Sequence, residues 1–265
     1  MTLIQIIVLA LIQGLTEFLP VSSSAHLILG SRVFGWPDQG LVFDVATHLG
    51  TLIAVLIYFR HELIEMAGAC VRPVRSDQDR RHRKLAVYLA VASIPALLAG
   101  FAARDLVELY LRDVRVIAWT TIGFGLLLWL ADAVGSRQRK LEDTSLKDAL
   151  FIGLAQALAL VPGVSRSGVT ITAARFLGLS PDAAARFSFL LAIPIIAAAG
   201  GYGALRVAMG DAPIEWAQFG LALVLAAIAG WVCVAAFLAL LKRVGLLPFV
   251  IYRLLLGAVL TWMLV

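Results

Sequence analysis

The chain alternates between long apolar stretches and short polar ones from end to end. An apolar run of about 20 residues is long enough to cross a bilayer as a helix. Six such runs are predicted to be membrane spans, at roughly 41–59, 85–103, 116–134, 180–205, 217–241 and 246–264. The pattern therefore predicts an all-α polytopic membrane protein.

Two further stretches are apolar but broken in the middle by polar residues and proline. Residues 2–35 turn polar between Gln13 and Pro20, and residues 149–179 do so at Pro162–Thr170. Neither arm of either stretch is long enough to span a bilayer. Irregular backbone is tolerated at membrane depth only where it is buried in protein or lines a cavity. Each stretch is therefore predicted to be a re-entrant helical hairpin.

The two hairpins resemble each other in sequence at a shift of 143 positions, which places the segment 21–25 on 164–168. Each half of a single transmembrane domain, about 1–134 and 145–265, then has one hairpin and three spans. Since an odd number of spans leaves the chain on the opposite side of the membrane, the second half is predicted to be an inverted copy of the first. Chance similarity between two polar hairpin tips is the alternative.

Lysine and arginine are unevenly divided between the loops that this topology places on opposite sides of the membrane. Loops 60–84, 135–147 and 242–245 carry 13 of these residues, whereas loops 104–115 and 206–216 carry 4. Cytoplasmic loops are enriched in lysine and arginine. The first set is therefore predicted to be cytoplasmic, with both termini and the opening of the first hairpin outside and the second hairpin entering from the cytoplasm. Cytoplasmic termini are the weaker alternative.

The amino-acid composition limits the class of protein and the partners that it can bind. Of the 265 residues 61% are hydrophobic, and the mean hydropathy of +0.93 is typical of an integral membrane protein. The net charge of +5 comes from short loops, so no nucleic-acid partner is predicted. Cys70, assigned to a basic loop, and Cys233 fit neither a disulfide framework nor a metal motif and are interpreted as structural. The first apolar run meets Gln13 and Glu17 rather than a cleavage site, so a cleaved signal peptide is not expected.

The segment Pro162–Thr170 places an arginine, three hydroxyls and two glycines in an apolar sequence. Proline and glycine end one helix and Ser165 can begin the next, so free N–H groups and the positive end of a helix dipole meet there. Phosphate binds such helix starts, and arginine adds a planar fork of donors. The predicted anion-binding residues are Ser165, Arg166, Ser167, Gly168 and Thr170. The alternative is an arginine that snorkels or pairs with a buried carboxylate.

Gln13 and Glu17 are four residues apart and therefore share one helical face. A carboxylate inside a membrane needs a partner. Glu17 is predicted to be protonated, to pair with Arg166, or to hold a divalent cation, Mg²⁺ or Ca²⁺, that also bridges phosphate oxygens. A purely structural pair with Arg166 is the alternative to a catalytic role.

His26 follows Ser22 by four residues and Ser23 by three, so one helical turn brings its ring within reach of either hydroxyl. That arrangement suits activation of a nucleophile or proton transfer. Ser23 is the candidate nucleophile and Ser22 a candidate substrate-binding residue. Water activated by His26 or Glu17 is the rival nucleophile, and a histidine that only caps a backbone carbonyl is the alternative.

Other polar residues are predicted to have supporting roles. Three of them are expected to lie around the site without touching the substrate: Asp44, His48 and Arg253. Asp148 has capping-box spacing from Ser145 and is predicted to start a helix. Arg175 and Arg186 are expected to cap, snorkel or pair where the second hairpin ends.

At these residues the chain resembles, over its whole length, the bacterial undecaprenyl pyrophosphate phosphatases of the bacitracin-resistance type. One family signature, glutamate or glutamine followed four positions later by glutamate, is Gln13 to Glu17 here. The more specific signature, Pro-Gly-x-Ser-Arg-Ser-x-x-Thr, is Pro162–Thr170, and the serine-rich segment Phe18–His26 is also similar to the family's. Many members carry glutamate where this chain has Gln13, which leaves Glu17 as the only acid of the pair.

The resemblance implies hydrolysis of a C55 isoprenyl pyrophosphate to the monophosphate and inorganic phosphate, which recycles the lipid carrier of cell-wall synthesis. It also implies a divalent cation and a site on the outer face of the bacterial inner membrane. Ser23, His26, Glu17 and Arg166 are then expected to be catalytic, Gln13 to bind the substrate and Glu17 also to bind the cation. Membrane lipids are further partners, and a homodimer is one alternative for the oligomeric state.

Two other function classes fit parts of the pattern. Inverted repeats with broken helices are also transporter architecture, so a lipid-phosphate transporter or flippase could bind an anion at Arg166 without cleaving it. A carrier has no need of a base beside a hydroxyl, so the spacing of Ser23 and His26 favours an enzyme. The ionisable groups at the hairpin tips disfavour a structural membrane subunit.

Overall fold

The computed structural model describes residues 1–37, 39–103, 111, 113–210 and 214–263. These residues form eleven α-helices and two short 3₁₀ turns, and none of them belongs to a β-strand. The predicted loops 104–115 and 206–216 lie partly outside the described residues. The all-α prediction is confirmed for the part of the chain that is described.

The helices follow one another with short connections. In chain order they are α1 (Leu3–Thr16), α2 (Ser23–Phe34), α3 (Gly40–Tyr58), α4 (Arg60–Val71), α5 (Asp77–Ala102), α6 (Val114–Val134), α7 (Leu146–Ala157), α8 (Arg166–Phe176), α9 (Pro181–Met209), α10 (Trp216–Val244) and α11 (Leu247–Trp262). Helices α3, α5, α6, α9 and α10 are long and apolar enough to cross a membrane. The chain is therefore a multi-pass membrane protein.

The sixth predicted span, 246–264, is found as the shorter apolar helix α11. Its 16 residues give a length of about 24 Å, against about 30 Å for the hydrocarbon core of a bilayer. Residues 264 and 265 lie outside the described part of the chain. Within that part, α11 is a partial span packed against α6 rather than a full-length one.

The prediction that residues 60–84 form a loop is wrong. Helix α4 occupies the first half of this segment, and α5 begins at Asp77, well before its apolar part. The Ser76 side chain accepts a hydrogen bond from the Asp79 amide, and the Asp79 side chain accepts one from the Ser76 amide, which forms a capping box. Because such a cap stabilises a helix start whatever the polarity of the helix, a charged sequence is helical here. Cys70 accordingly lies on α4.

The two predicted hairpins are present as helix pairs, α1 with α2 and α7 with α8. Among the described non-glycine residues, Ser22 (φ +73°) and Ser165 (φ +69°) have positive φ. They are 143 positions apart, and each immediately precedes the second helix of its hairpin. The shared turn is consistent with a sequence repeat. The inverted orientation and the boundaries 1–134 and 145–265 remain predictions.

Helices α1 and α3 pack closely on α10 at glycines. A Cβ on Gly14 would lie 2.6 Å from the Ala229 Cβ, and one on Gly50 would lie 2.3 Å from the Leu223 carbonyl oxygen. Only small residues allow backbones in a membrane protein to approach this closely. Helix α10 therefore fixes the positions of α1 and α3 relative to each other.

A buried arginine fastens the end of the second hairpin. The Nε of Arg175 donates to Asp132 Oδ1 at 3.0 Å, and its Nη1 donates to the carbonyls of Ser136, at 2.8 Å, and Leu179. This is the pairing and capping role expected for Arg175. It ties the carboxyl end of α6 to the turn after α8.

The start of the second hairpin is held by a second ion pair. Asp148 accepts from Arg139 Nη2 at 2.5 Å, and its amide donates to Ser145 Oγ, so it begins α7 as the capping spacing predicts. Arg186 pairs with Glu62 at 2.6 Å, again as expected. These contacts hold the polar ends of the helices while the hairpin tips lie deeper in the protein.

Candidate active site

The tips of the two hairpins meet at an ion pair. Glu17 caps the carboxyl end of α1, and Arg166 is the first residue of α8. The Nη2 of Arg166 lies 3.6 Å from Glu17 Oε1 and 3.5 Å from the Glu17 carbonyl oxygen, and the two side chains are 12% and 8% exposed. Two residues 149 positions apart thus form one buried charged pair between the hairpins.

Helix α9 holds the guanidinium of Arg166 from the other side. Its Nη1 donates to the Ser188 carbonyl oxygen at 3.2 Å, and the Ser188 hydroxyl lies 2.7 Å from Thr170 Oγ1. The Nε of Arg166 is buried and has no hydrogen-bond partner among the described residues. Since a buried N–H without a partner is costly, this donor is available for a ligand.

The hydroxyls of the arginine motif, Pro162–Thr170, stabilise the turn that precedes α8. Ser165 Oγ accepts from the Gly168 amide at 3.1 Å and caps α8, as the sequence predicts for a helix start. Ser167 Oγ donates to the Leu19 carbonyl oxygen at 2.8 Å, and Thr170 Oγ1 donates to the Arg166 carbonyl oxygen at 2.8 Å. These contacts join the two tips and fix α8. Binding of the substrate by Ser165, Ser167, Gly168 and Thr170 stays a prediction.

The candidate nucleophile contacts a carboxylate. Ser23 Oγ donates to Glu17 Oε2 at 3.1 Å, and Gln13 Nε2 donates to the same oxygen at 2.9 Å. Gln13 and Glu17 thus share a helical face, as their spacing predicts. Glu17 joins the serine of the first hairpin to the arginine of the second.

His26 does not make the predicted contact with a serine hydroxyl. Its Nδ1 donates to the Ser22 carbonyl oxygen at 2.7 Å, and its Nε2 accepts from the Tyr252 hydroxyl at 2.6 Å. The backbone bond from His26 N to the same carbonyl is long, at 3.4 Å, so this oxygen is open to the ring N–H. Ser23 meanwhile turns to Glu17. The predicted contact between His26 and Ser23 is therefore not made, and the ring caps a backbone carbonyl as in the alternative interpretation, whereas a catalytic role for His26 stays a prediction.

Tyr252 and Ser188 are site residues that the sequence pattern did not reveal. The Tyr252 ring stacks on His26, with centroids 5.5 Å apart and the planes 5° from parallel. The only feature of the sequence that could have indicated Tyr252 was its position next to Arg253 in an apolar run. Ser188 is the only serine in the long apolar helix α9, and no local pattern connects it with Arg166.

Arg253 is fully buried and binds both hairpin tips. Its guanidinium donates to backbone carbonyl oxygens of the first tip, of the second tip and of α6, which belong to Pro20, Gly163, Val164, Thr120 and Thr121. A Cβ on Gly168 would lie 2.9 Å from Arg253 Nη1, so a larger residue there would push the guanidinium away from its carbonyl partners. Arg253 thus holds the tips at a fixed separation, in line with the supporting role expected for it.

His48 and Asp44 lie on α3 beside the first hairpin. The Nδ1 of His48 donates to the Asp44 carbonyl oxygen at 2.7 Å, and its Nε2 lies 3.4 Å from Gln13 Nε2. The Asp44 carboxylate accepts from Gln39 at 3.1 Å. His48 therefore contacts the Gln13–Glu17 pair directly, whereas Asp44 supports His48 through its backbone carbonyl.

A divalent cation has few protein donors here. The described residues contain no group of three or more His, Cys, Asp or Glu side chains able to hold a metal. Glu17 offers a carboxylate, and Gln13 Oε1 is a buried oxygen without a partner among the described residues. Mg²⁺ is commonly bound by one or two protein oxygens together with substrate phosphates and water. The donor set fits a cation shared with a phosphate ligand and does not fit a cage made by protein alone.

Comparison with known proteins agrees with the motifs. The family described as "Bacitracin resistance protein BacA" matches residues 6–259. A Teredinibacter turnerae protein named "Undecaprenyl-diphosphatase" is 52% identical over 98% of both chains. "Undecaprenyl-diphosphatase 1" of Pseudoalteromonas translucida is 53% identical over 97% of both chains, and "Undecaprenyl-diphosphatase 2" of Stutzerimonas stutzeri is 55% identical over 98% of this chain and 97% of its own. With the motif, its geometry and this match over nearly the whole length, the chain belongs to the bacitracin resistance protein BacA family.

Proposed function

We propose that this protein hydrolyses undecaprenyl pyrophosphate to undecaprenyl phosphate and inorganic phosphate, and so recycles the lipid carrier of cell-wall synthesis. The names and full-length similarity of the relatives support this function. The observation that carries it is the junction of the hairpin tips, where Ser23, Glu17 and Arg166 form one connected group. Phosphoryl transfer requires a nucleophile, a group that accepts its proton and a positive charge that binds the phosphate, and Ser23, Glu17 and the Arg166 guanidinium can supply these.

Arg166 binds the terminal phosphate in this proposal. Its free Nε and the amino end of α8 supply hydrogen-bond donors, and the guanidinium charge offsets the charge of the phosphate oxygens. The Ser188 carbonyl oxygen holds the opposite edge of the guanidinium, so the fork cannot rotate freely. Such preorganised donors stabilise a phosphoryl transition state without rearranging during the reaction.

Ser23 is the proposed nucleophile, with Glu17 as its base. The Ser23 oxygen attacks the terminal phosphorus and its proton passes to Glu17 Oε2, to which it is already hydrogen-bonded. The bond between the terminal phosphorus and the bridging oxygen breaks, and the lipid monophosphate leaves. Water then hydrolyses the phosphoserine and releases inorganic phosphate. In the rival route, Glu17 or His26 activates a water that attacks the phosphorus directly.

A divalent cation is proposed to complete the site. Glu17 Oε1 and Gln13 Oε1 are the protein oxygens that would hold it, since Glu17 Oε2 already accepts two hydrogen bonds and Oε1, at 3.6 Å from Arg166 Nη2, is beyond hydrogen-bond distance. When bound, the cation would neutralise charge on the pyrophosphate oxygens. The Gln13 oxygen is an acceptor and cannot bind an ionised phosphate oxygen directly. We therefore revise the predicted role of Gln13 from binding the substrate itself to binding the cation.

Phosphate release tests the proposed function. The purified protein in detergent micelles with Mg²⁺ is expected to release one inorganic phosphate from each isoprenyl pyrophosphate and to leave the lipid monophosphate. The Ser23→Ala variant serves as the inactive control. A lipid-phosphate transporter would bind the lipid without releasing phosphate, so substrate binding without release would contradict the proposal and favour the transporter.

The protein is proposed to lie in the bacterial inner membrane, with residues 60–84 in the cytoplasm and the site open to the periplasm. The exposed Cys70 and the buried Cys233 allow a direct test. In spheroplasts, a membrane-impermeant maleimide is expected to label the protein only after permeabilisation, and Cys70→Ser should remove this labelling.

A second thiol provides the matched control for this orientation. Asp113→Cys in the Cys70→Ser background places a cysteine at an exposed position before α6, on the side proposed to be outside. This cysteine is expected to react in intact spheroplasts. Labelling of Cys70 in intact spheroplasts would reverse the orientation.

A further inference from the structure

The side-chain amide of Gln13 is held between two acceptors. Its Nε2 lies 2.9 Å from Glu17 Oε2 and 3.4 Å from His48 Nε2. The Nδ1 of His48 donates to a carbonyl oxygen, which leaves Nε2 as the ring nitrogen that can accept from the Gln13 amide. Each of the two N–H bonds of the Gln13 amide therefore has a partner.

The reverse orientation of this amide is unfavourable at both neighbours. It would place Gln13 Oε1 against the Glu17 carboxylate oxygen and against the bare nitrogen of His48. Acceptors at these distances repel each other. The observed orientation instead leaves Oε1 buried and without a hydrogen-bond partner among the described residues, as a ligand-binding oxygen requires.

The backbones that carry these side chains cannot adjust easily. Gly14, next to Gln13, and Gly50, near His48, are each packed against the α10 backbone too closely for a Cβ. The separation of the two side chains is thus set by α10. Rotation of the Gln13 side chain is restricted in turn by its contacts with Glu17 and His48.

We infer that His48 is a positioning residue, which holds the Gln13 amide with its nitrogen towards Glu17 and its carbonyl oxygen free to bind a divalent cation shared with the pyrophosphate. This inference rests on the proposed function. A glutamate at position 13 would have two equivalent oxygens and would need no orientation. With glutamine, the cation receives a neutral oxygen only if the amide faces the right way.

A double-mutant cycle tests the role of His48. His48→Leu removes the acceptor at similar volume, and Gln13→Met removes the amide while keeping an unbranched side chain. We expect His48→Leu to lower kcat/KM about three- to tenfold, the effect of one lost hydrogen bond. In the Gln13→Met background the same change should alter kcat/KM by less than about twofold, because there is no amide left to orient.

Binding provides a readout that does not depend on turnover. The Kd of methylenediphosphonate in the presence of Mg²⁺, measured by thermal shift in detergent, is expected to follow the same cycle. His61→Leu on α4 is the matched control and should leave both quantities unchanged. Thermal unfolding without ligand identifies any variant that fails to fold.

Two results would overturn the inference: losses that multiply in the double variant, or a His48→Leu variant equal to wild type in binding and turnover. If the wild-type protein releases no phosphate, the proposed function fails instead. The binding cycle would then still decide whether His48 acts through Gln13.

Discussion

Arg166→Lys is expected to lose most of the phosphatase activity although the charge is kept. The guanidinium of Arg166 contacts the Ser188 carbonyl oxygen and Glu17, and its Nε remains free for the phosphate. Lysine is a point donor without the planar fork and cannot make these contacts together. A loss of at least about 2 kcal/mol in transition-state binding, or about 30-fold in kcat/KM, is expected for a charge-assisted phosphate contact.

The measurement is kcat/KM for isoprenyl pyrophosphate in micelles, with Arg186→Lys as the control. Arg186 pairs with Glu62 on α4 and lies over the Phe59 ring, so its replacement should change activity little. Near-normal turnover of Arg166→Lys would show that Arg166 is only a structural partner of Glu17.

Ser23→Ala is expected to reduce turnover by about a thousandfold or more while substrate binding is retained. Loss of a nucleophile removes the main reaction path, whereas the phosphate contacts of Arg166 remain. A short quench with substrate labelled in the terminal phosphate should trap the label on Ser23 of the wild-type protein. The turnover of Ser23→Ala and the trapping of labelled phosphate both test whether Ser23 attacks the phosphorus.

A neighbouring serine provides the control for this substitution. Ser24 lies next in the chain and bonds to the Ser22 hydroxyl rather than to Glu17. Ser24→Ala is expected to remain active within a few-fold. Substantial turnover by Ser23→Ala, with no label trapped, would assign the attack to water activated by Glu17 or His26.

Much of the architecture could be predicted from the sequence because it depends on local, one-dimensional properties. Membrane spans require long apolar runs, and five of the six predicted runs form spanning-length helices. Pro20 and the pair Pro162-Gly163 do not continue a helix easily, so the two hairpins were predictable. The segment 60–84 was not, because a charged sequence is compatible with both a loop and a well-capped surface helix.

The residue types of the site could also be predicted, since an arginine or a carboxylate in an apolar membrane sequence needs a charged partner or a function. Gln13 and Glu17 share a face because helical spacing alone sets it. The same spacing argument failed for His26. Spacing shows which groups are within reach of each other, but competing partners decide which hydrogen bond forms. Ser23 bonds to Glu17 instead of His26, and His26 bonds to Tyr252 instead of a serine hydroxyl.

The sequence by itself determined that this is a polytopic α-helical membrane protein, with two hairpins carrying a serine-rich tip and an arginine motif. Only the tertiary structure decided that Glu17 pairs with Arg166 where the tips meet, that Ser188 and Arg253 hold them and that Ser23 faces Glu17. The reason is physical. These contacts join residues far apart in the chain, or choose between neighbours at equal spacing, and both depend on how α9, α10 and α11 pack rather than on the period of a helix.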